Sequence, residues 1–257
     1  MSESERGNEV DSVGSVETLF DILEYVHQRN GVTLSEATSD LDYAKSTIHR
    51  HLSTLEQRGY VVHEDGYRVG LRFLEFGEDA RNRKQAYQLA KEKVEELAEE
   101  TDERAQFLVE EHGEAVYLHR AVGDHAVRTD PGIGKRIPLH ATASGKSILA
   151  AMSPEKVSRI IEQTAFEKIT DETITNQETL YDELEQIRQR GYAFNREENL
   201  DGLRAIGVPV KGPKGNVIGG LSVSGPSHRL TGERFKEELP SLLLGTANEL
   251  ELNIAHA

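Results

Sequence analysis

The chain has 257 residues, 45 acidic against 30 basic side chains, a formal net charge of −15 and no cysteine. The missing thiols exclude disulfides, thiolate metal sites and a cysteine nucleophile, and no apolar run reaches the ~18 residues that a membrane-spanning helix needs. A uniformly negative surface repels DNA, but concentrated salt shortens the range of that repulsion. The acidic balance therefore reads as adaptation to a salty, halophilic cytoplasm, and it leaves a nucleic-acid partner open wherever one patch departs from the average.

Residues 1–14, "MSESERGNEVDSVG", form an expected disordered acidic tail without the basic and apolar regions of a secretory signal, so a cytoplasmic location is expected. From Ser15, the apolar residues Val16, Leu19, Phe20, Leu23 and Val26 recur at helical spacing, and Asn30-Gly31 ends the helix. A second helix is predicted over 33–41, where Thr33 and Glu36 stand at capping-box spacing. A third runs from about Ala44 to Arg58 and stops at Gly59; "YVVHEDGYRVG" (60–70) then reads as two short strands around an Asp-Gly turn. Helices followed by a hairpin are the layout of a winged helix-turn-helix over 15–72. Residues 73–102 read as a linker, with helix content from about Glu75 to Asp102 in a long charged stretch that joins two domains.

The texture then changes. Over 103–257, "AQFLVEEHG" and "AVYLHRAVG" are predicted strands joined at Gly113-Glu114. Helices are predicted at 143–152, 154–163 and 177–190, strands at "YAFNREEN", "RAIGVPVKG" and "NVIGGLSVSG", and a closing helix over 231–254. Strand pairs on either side of a helical block give an antiparallel sheet with helices packed on it, an α+β architecture.

The third predicted helix carries the first functional signal. At about 100° per residue, Ile48, Leu52 and Leu55 share one face, which is the core side. Ser46, Arg50, Ser53 and Gln57 lie opposite, with Thr47 and His49 on the flanks. None is acidic, and between Tyr43 and Glu56 only the last residue is negative. Arginine offers a bidentate donor pair to guanine, and glutamine pairs with adenine in both senses. Ser46 and Thr47 sit near the helix start, where recognition helices make their contacts. Lys45 adds positive charge, and Tyr67 and Arg68 on the hairpin are placed to reach an adjacent DNA backbone. His49 and His51, two apart on a helix, point away from each other and cannot share a metal ion.

Other stretches invite catalytic readings. "HATASGKSILAA" contains Gly-Lys-Ser, but a phosphate loop needs a glycine five positions before Gly145, and that position holds His140. Glu197 and Glu198 are adjacent, and neighbours on a strand face opposite ways, which argues against paired catalytic carboxylates. His112, His119, His125 and His140 show no metal-ligand spacing, and no cofactor is expected. In "GGLSVSG" the alternation sets Ser222 and Ser224 on one face and Leu221 and Val223 on the other. Two adjacent hydroxyls can hold a carboxylate or hydroxyl; equally, such serines can be satisfied by neighbouring strands.

"SVETLFDILEYV" followed by "AKSTIHRHLSTLEQRGYV" resembles the N-terminal domain of IclR-type transcriptional regulators. "RIPLHATASGKSILAAM", "GYAFNREENLDGLRAIGVPV" and "VIGGLSVSGP" resemble three successive blocks of that family's effector domain, so the resemblance spans about residues 15–255. It implies a winged helix-turn-helix, a dimerising linker helix and a GAF-like domain over 103–257 that binds a small metabolite. Double-stranded operator DNA, an organic, sugar or aromatic acid as effector, and a homodimer or tetramer are the implied partners. Carried over onto this chain, Ser222 and Ser224 join Asn195, Leu203 and Ala205 as effector contacts, with Leu139 and Ala141 on the opposing loop and Gly132 and Gly134 flanking it. Gly145 and Ser144 would open a helix behind that loop, leaving Lys146 as a surface or salt-bridge residue. Two other classes stay open on the residues alone: a GAF-like small-molecule-sensing enzyme with a nucleic-acid tether, and a dimer module that docks on protein.

Overall fold

The computed structural model describes residues 12–29, 31–124, 126 and 132–257. The expected tail lies outside the described residues except for its last three positions, and so do Asn30 and His125. The fold divides into two compact units that meet between Ala80 and Arg81.

The first unit is the winged helix-turn-helix. Helix α1 (Gly14–Gln28) buries Ile22, Tyr25 and Val26. Helix α2 (Leu34–Asp40) opens with the expected capping box: Thr33 Oγ1 accepts from the Glu36 amide at 3.2 Å, and Glu36 Oε2 accepts from the Thr33 amide at 2.8 Å. These bonds satisfy donors that a helix start leaves without partners. Helix α3 (Lys45–Gln57) buries Ile48, Leu52 and Leu55 against them. Strands β1 (Val61–His63) and β2 (Tyr67–Val69) form the antiparallel wing, and Val32 adds an isolated bridge to Tyr67. Helix α4 (Arg72–Asn82) follows and buries no residue.

The expected helical linker is two helices, α4 and a second that starts after Lys84. Lys84 adopts an extended backbone, with its ammonium 4.9 Å from the Tyr87 ring centre, and helix α5 (Gln85–Thr101) starts after it. The second unit is built on a six-stranded antiparallel sheet in the order β5-β4-β3-β8-β7-β6. Its strands are β3 (Arg104–Glu111), β4 (Glu114–Val122), β5 (Arg136–Pro138), β6 (Ala193–Arg196), β7 (Leu203–Lys211) and β8 (Val217–Pro226). At three residues, β5 is too short for any periodicity to announce it, and so is the 3₁₀ turn Leu139–Ala141 that follows.

One face of the sheet packs on α5 and on the closing helix α9 (Leu239–His256). Phe107, Val109, Leu221 and Val223 meet Tyr87, Val94, Leu243 and Leu250 there. The other face carries α6 (Ala143–Ala151), α7 (Pro154–Gln163) and α8 (Gln177–Arg190), with Leu108 and Tyr117 against Ile148, Leu149, Ile160 and Leu184. The final helix differs from expectation at its start: Arg234–Glu238 form a π turn before Pro240, whose ring and missing N–H disfavour a regular ladder there.

Candidate DNA interface and a cavity on the sheet

On α3 the helical wheel holds. Lys45, Ser46, His49, Arg50 and Gln57 are exposed, Thr47 and Ser53 half-buried, and the three apolar residues sit in the core. Leu34, Lys45, Ser46, His49 and Arg50 border one open hollow. Among the described residues neither Lys45 nor Arg50 is paired with a carboxylate. The helix therefore offers its cations and hydroxyls outward without an acid to neutralise them.

The wing differs from expectation at one residue. Tyr67 is 5% exposed, packed in the core and stacked on His63 with ring centres 4.2 Å apart. Its strand pairs with Val32 as well as β1, which turns the ring inward and removes it from reach of a phosphate. Arg68 is half-buried, beside Gly31, and pairs with Glu64 at 3.4 Å.

The second unit holds a cavity between the sheet and the start of α6, and cross-strand register builds its floor. Arg104, Ser224, Ala205 and Asn195 are successive partners across β3, β8, β7 and β6. In the next row Gln106 pairs with Ser222, and Ser222 with Gly207. At Gly207 the helix touches the sheet: a Cβ there would lie 2.5 Å from the Ser144 backbone nitrogen. One row away, the small side chains of Ser224 and Ala205 leave a space of about 30 Å³. Leu108, Tyr117, Thr142, Ala143, Asn199 and Leu203 complete the wall with these residues and Ser144.

Ser222, Ser224, Asn195, Leu203 and Ala205 thus come together as the resemblance implied. Leu139 and Ala141 do not line the cavity. They are buried behind the wall, and the Ala141 carbonyl accepts from Asn195 Nδ2 at 2.7 Å. The inward-facing segment starts one residue later, because Thr142 caps α6 by accepting from the Gly145 amide at 3.0 Å. Gly132 and Gly134 are exposed.

Sequence reasoning missed Arg104, Gln106 and Tyr117. The alternation that exposed the two serines applies equally to β3, where Arg104, Gln106 and Leu108 share a face. Arg104 is 4% exposed; its Nε donates to Ser224 Oγ at 3.0 Å, and burial draws its pKa below the ordinary arginine range. Burial likewise raises the Tyr117 phenol. Gln106 Nε2 donates to Ser224 Oγ at 3.1 Å and reaches Ser222 Oγ at 3.5 Å. Among the described residues no carboxylate lines the cavity.

The Gly-Lys-Ser tripeptide has a packing role. A Cβ on Gly145 would overlap the Leu139 carbonyl oxygen, so the glycine permits the close approach of the 3₁₀ turn. Lys146 is not a surface residue: it is 1% exposed, donates to Glu198 Oε2 and lies 3.8 Å from Glu183 Oε1. Glu183 also pairs with Arg190 at 2.7 Å. Glu197 and Glu198 are not strand neighbours, since β6 ends at Arg196 and Glu197 takes a left-handed φ of 72°. Glu198 turns in to Lys146, whereas Glu197 accepts from the Gly202 amide at 2.8 Å and lies 3.6 Å from Arg204. They do not form a carboxylate pair. Among the described residues no cluster of three or more His, Asp or Glu is placed to hold a metal, and no helix is long and apolar enough to cross a membrane.

A winged helix with an acid-free outward face, joined to a domain with a polar cavity, defines a DNA-binding regulator with a sensory domain. The chain belongs to the IclR family of transcriptional regulators, which are not enzymes: the family's helix-turn-helix domain matches residues 15–65, and the "Bacterial transcriptional regulator IclR C-terminal" domain matches residues 80–252. It is 33% identical to a probable HTH-type transcriptional regulator, ArcR, of Halobacterium salinarum, covering 99% of both chains. It is similar to the crystal structure of the Thermotoga maritima IclR, with a TM-score of 0.78 and 29% identity over 94% of this chain and 98% of that one. The same fold recurs, at 24% identity and a TM-score of 0.78, in an IclR homologue from Microbacterium hydrocarbonoxydans complexed with 4-hydroxybenzoate; that match covers 95% of this chain and all of the other.

Proposed function

We propose that this regulator reads double-stranded operator DNA through α3 and senses a small organic acid in the cavity beside Ser222 and Ser224. Lys45, Ser46, Thr47, His49, Arg50, Ser53 and Gln57 face the groove, and Arg68 of the wing approaches the backbone. The observation that carries the sensing role is the composition of the cavity: in a chain with 45 acidic residues, the described residues of the wall include Arg104, Gln106, three serines and two asparagines and no acid. The start of α6 adds backbone donors and the positive end of a helix dipole. An organic, sugar or aromatic acid fits that chemistry, and the bound 4-hydroxybenzoate of the Microbacterium neighbour supports it.

The protein acts as a homodimer or tetramer. Leu74 and Phe76 stand exposed on α4, which buries nothing of its own, and a second copy would cover them. Effector binding then shifts the equilibrium between placements of two DNA-reading heads, by no more than the ligand's differential affinity for them. The cell compartment is the cytoplasm, and the surface charge suits one rich in salt.

The test is Ser222→Ala with Ser224→Ala. The double variant loses the response of operator binding to 4-hydroxybenzoate, pyruvate or gluconate and keeps unliganded operator affinity. A full response in a gel-shift titration overturns the assignment.

A further inference from the structure

Resting on that reading of the cavity, we infer that its ligand is a hydroxylated acid, with an O–H donor close to the carboxylate, and that Gln106 reads this hydroxyl. Two buried polar atoms of the lining have no hydrogen-bond partner among the described residues: Gln106 Oε1, on a residue 4% exposed, and Ser144 Oγ, on a residue 2% exposed. Both side chains border the same small space.

Their chemistry is not symmetrical. A serine hydroxyl donates or accepts, but an amide oxygen only accepts. In the structure Gln106 Nε2 points at Ser224 Oγ and Ser222 Oγ, and Oε1 is the free end. Ser224 Oγ accepts twice, from Arg104 Nε and from Gln106 Nε2, so its lone pairs are engaged and its own proton is what it can offer. The floor therefore presents a donor at Ser224 and, one side chain away, an acceptor at Gln106.

A carboxylate satisfies the donor but not the acceptor. A keto or alkyl group beside it brings no proton to Oε1, and a carbonyl there sets two acceptors against each other at a buried side chain. A buried acceptor left without a donor costs a factor of about ten to a hundred in affinity. A hydroxyl on a carbon near the acid group satisfies both ends at once. Ser144 Oγ serves either as a second donor to the carboxylate or as the acceptor of a further hydroxyl, which suits sugar acids. Leu108 and Leu203 meet the carbon chain.

The experiment is isothermal titration of the full chain with matched acids that differ only in this group: lactate against pyruvate, mandelate against phenylglyoxylate, and gluconate against 2-deoxygluconate. In each pair that binds, the hydroxylated member binds about tenfold to a hundredfold more tightly, and in Gln106→Met the ratio falls towards one. The wild-type ratio alone is a test should the variant fold poorly. Equal binding, or tighter binding of the oxo or deoxy member, overturns the inference while leaving an acid-binding pocket in place. Persistence of the ratio in Gln106→Met removes Gln106 as the reader. Binding of no acid in the panel removes the acid-sensing reading itself, and this inference with it.

Discussion

Replacing Lys146 by methionine isolates the role of the buried ammonium. Lys146 is 1% exposed, and its partner Glu198 has a side chain 9% exposed. Removing one member of a buried pair costs about 3–5 kcal/mol, because the other charge is left without compensation in a medium that solvates it poorly. Glu183 keeps Arg190, so the loss concentrates on Glu198, whose other carboxylate contact is the Arg196 amide at 3.3 Å. The lower end of the range, about 3 kcal/mol, is therefore expected for Lys146→Met. At ~2–4 °C per kcal/mol for a domain of this size, the melting temperature falls by roughly 6–12 °C. Adding Glu198→Gln removes the orphaned charge and recovers most of the loss. Urea unfolding followed by circular dichroism at neutral pH measures both. A loss under about 1 kcal/mol in the single variant, typical of a solvated pair, would refute the reasoning, as would a double variant no better than the single.

Arg50→Ala is expected to weaken operator binding by ~1–3 kcal/mol, read by gel shift, with effector affinity unchanged; equal retention of DNA by variant and parent removes Arg50 from the reading face. Gly207→Ala drives a methyl group into the Ala143–Ser144 backbone, and overpacking of this kind costs ~1–3 kcal/mol, so an unaltered melting temperature would show that α6 lifts freely. Burial lowers the pKa of both His119 and His140. Unfolded imidazoles take up protons at the ordinary histidine value, whereas the folded ones resist until lower pH. Their contribution to stability is thus complete above about pH 6.5 and is lost as pH falls through the depressed folded values. Thermal melts between pH 7.5 and 5 show this decline, and it flattens in the variant carrying His119→Gln and His140→Gln. An identical profile in that variant counts against the histidines as its source.

Much of this was legible from spacing alone. The apolar stripe of α3 marks its own core side, so the outward set from Ser46 to Gln57 follows without a structure. The serines of β8 obey a period of two, and their shared face is equally readable. What spacing cannot supply is the partner across the fold. Lys146 carries a charge, and charges are mostly exposed; its burial depends on Glu198, 52 positions away. Tyr67 sits on a hairpin that two-strand reasoning leaves open on one side, and only the bridge to Val32 closes it. Arg104 and Gln106 were within reach, because the rule applied to β8 holds on β3 as well. The three-residue strand β5 was out of reach, since unlike the equally short β1 and β2 it has no Asp-Gly turn joining it to its partner strand.

The two-residue period of β3 and β8 gives this protein a division of labour within single strands. Odd-numbered positions such as Phe107, Leu221 and Val223 hold the sheet to α5 and α9, while even-numbered ones such as Gln106, Ser222 and Ser224 look into the cavity. Changing alternate letters of one stretch therefore alters the lining of that cavity, and the scaffold on the reverse side is not asked to repack.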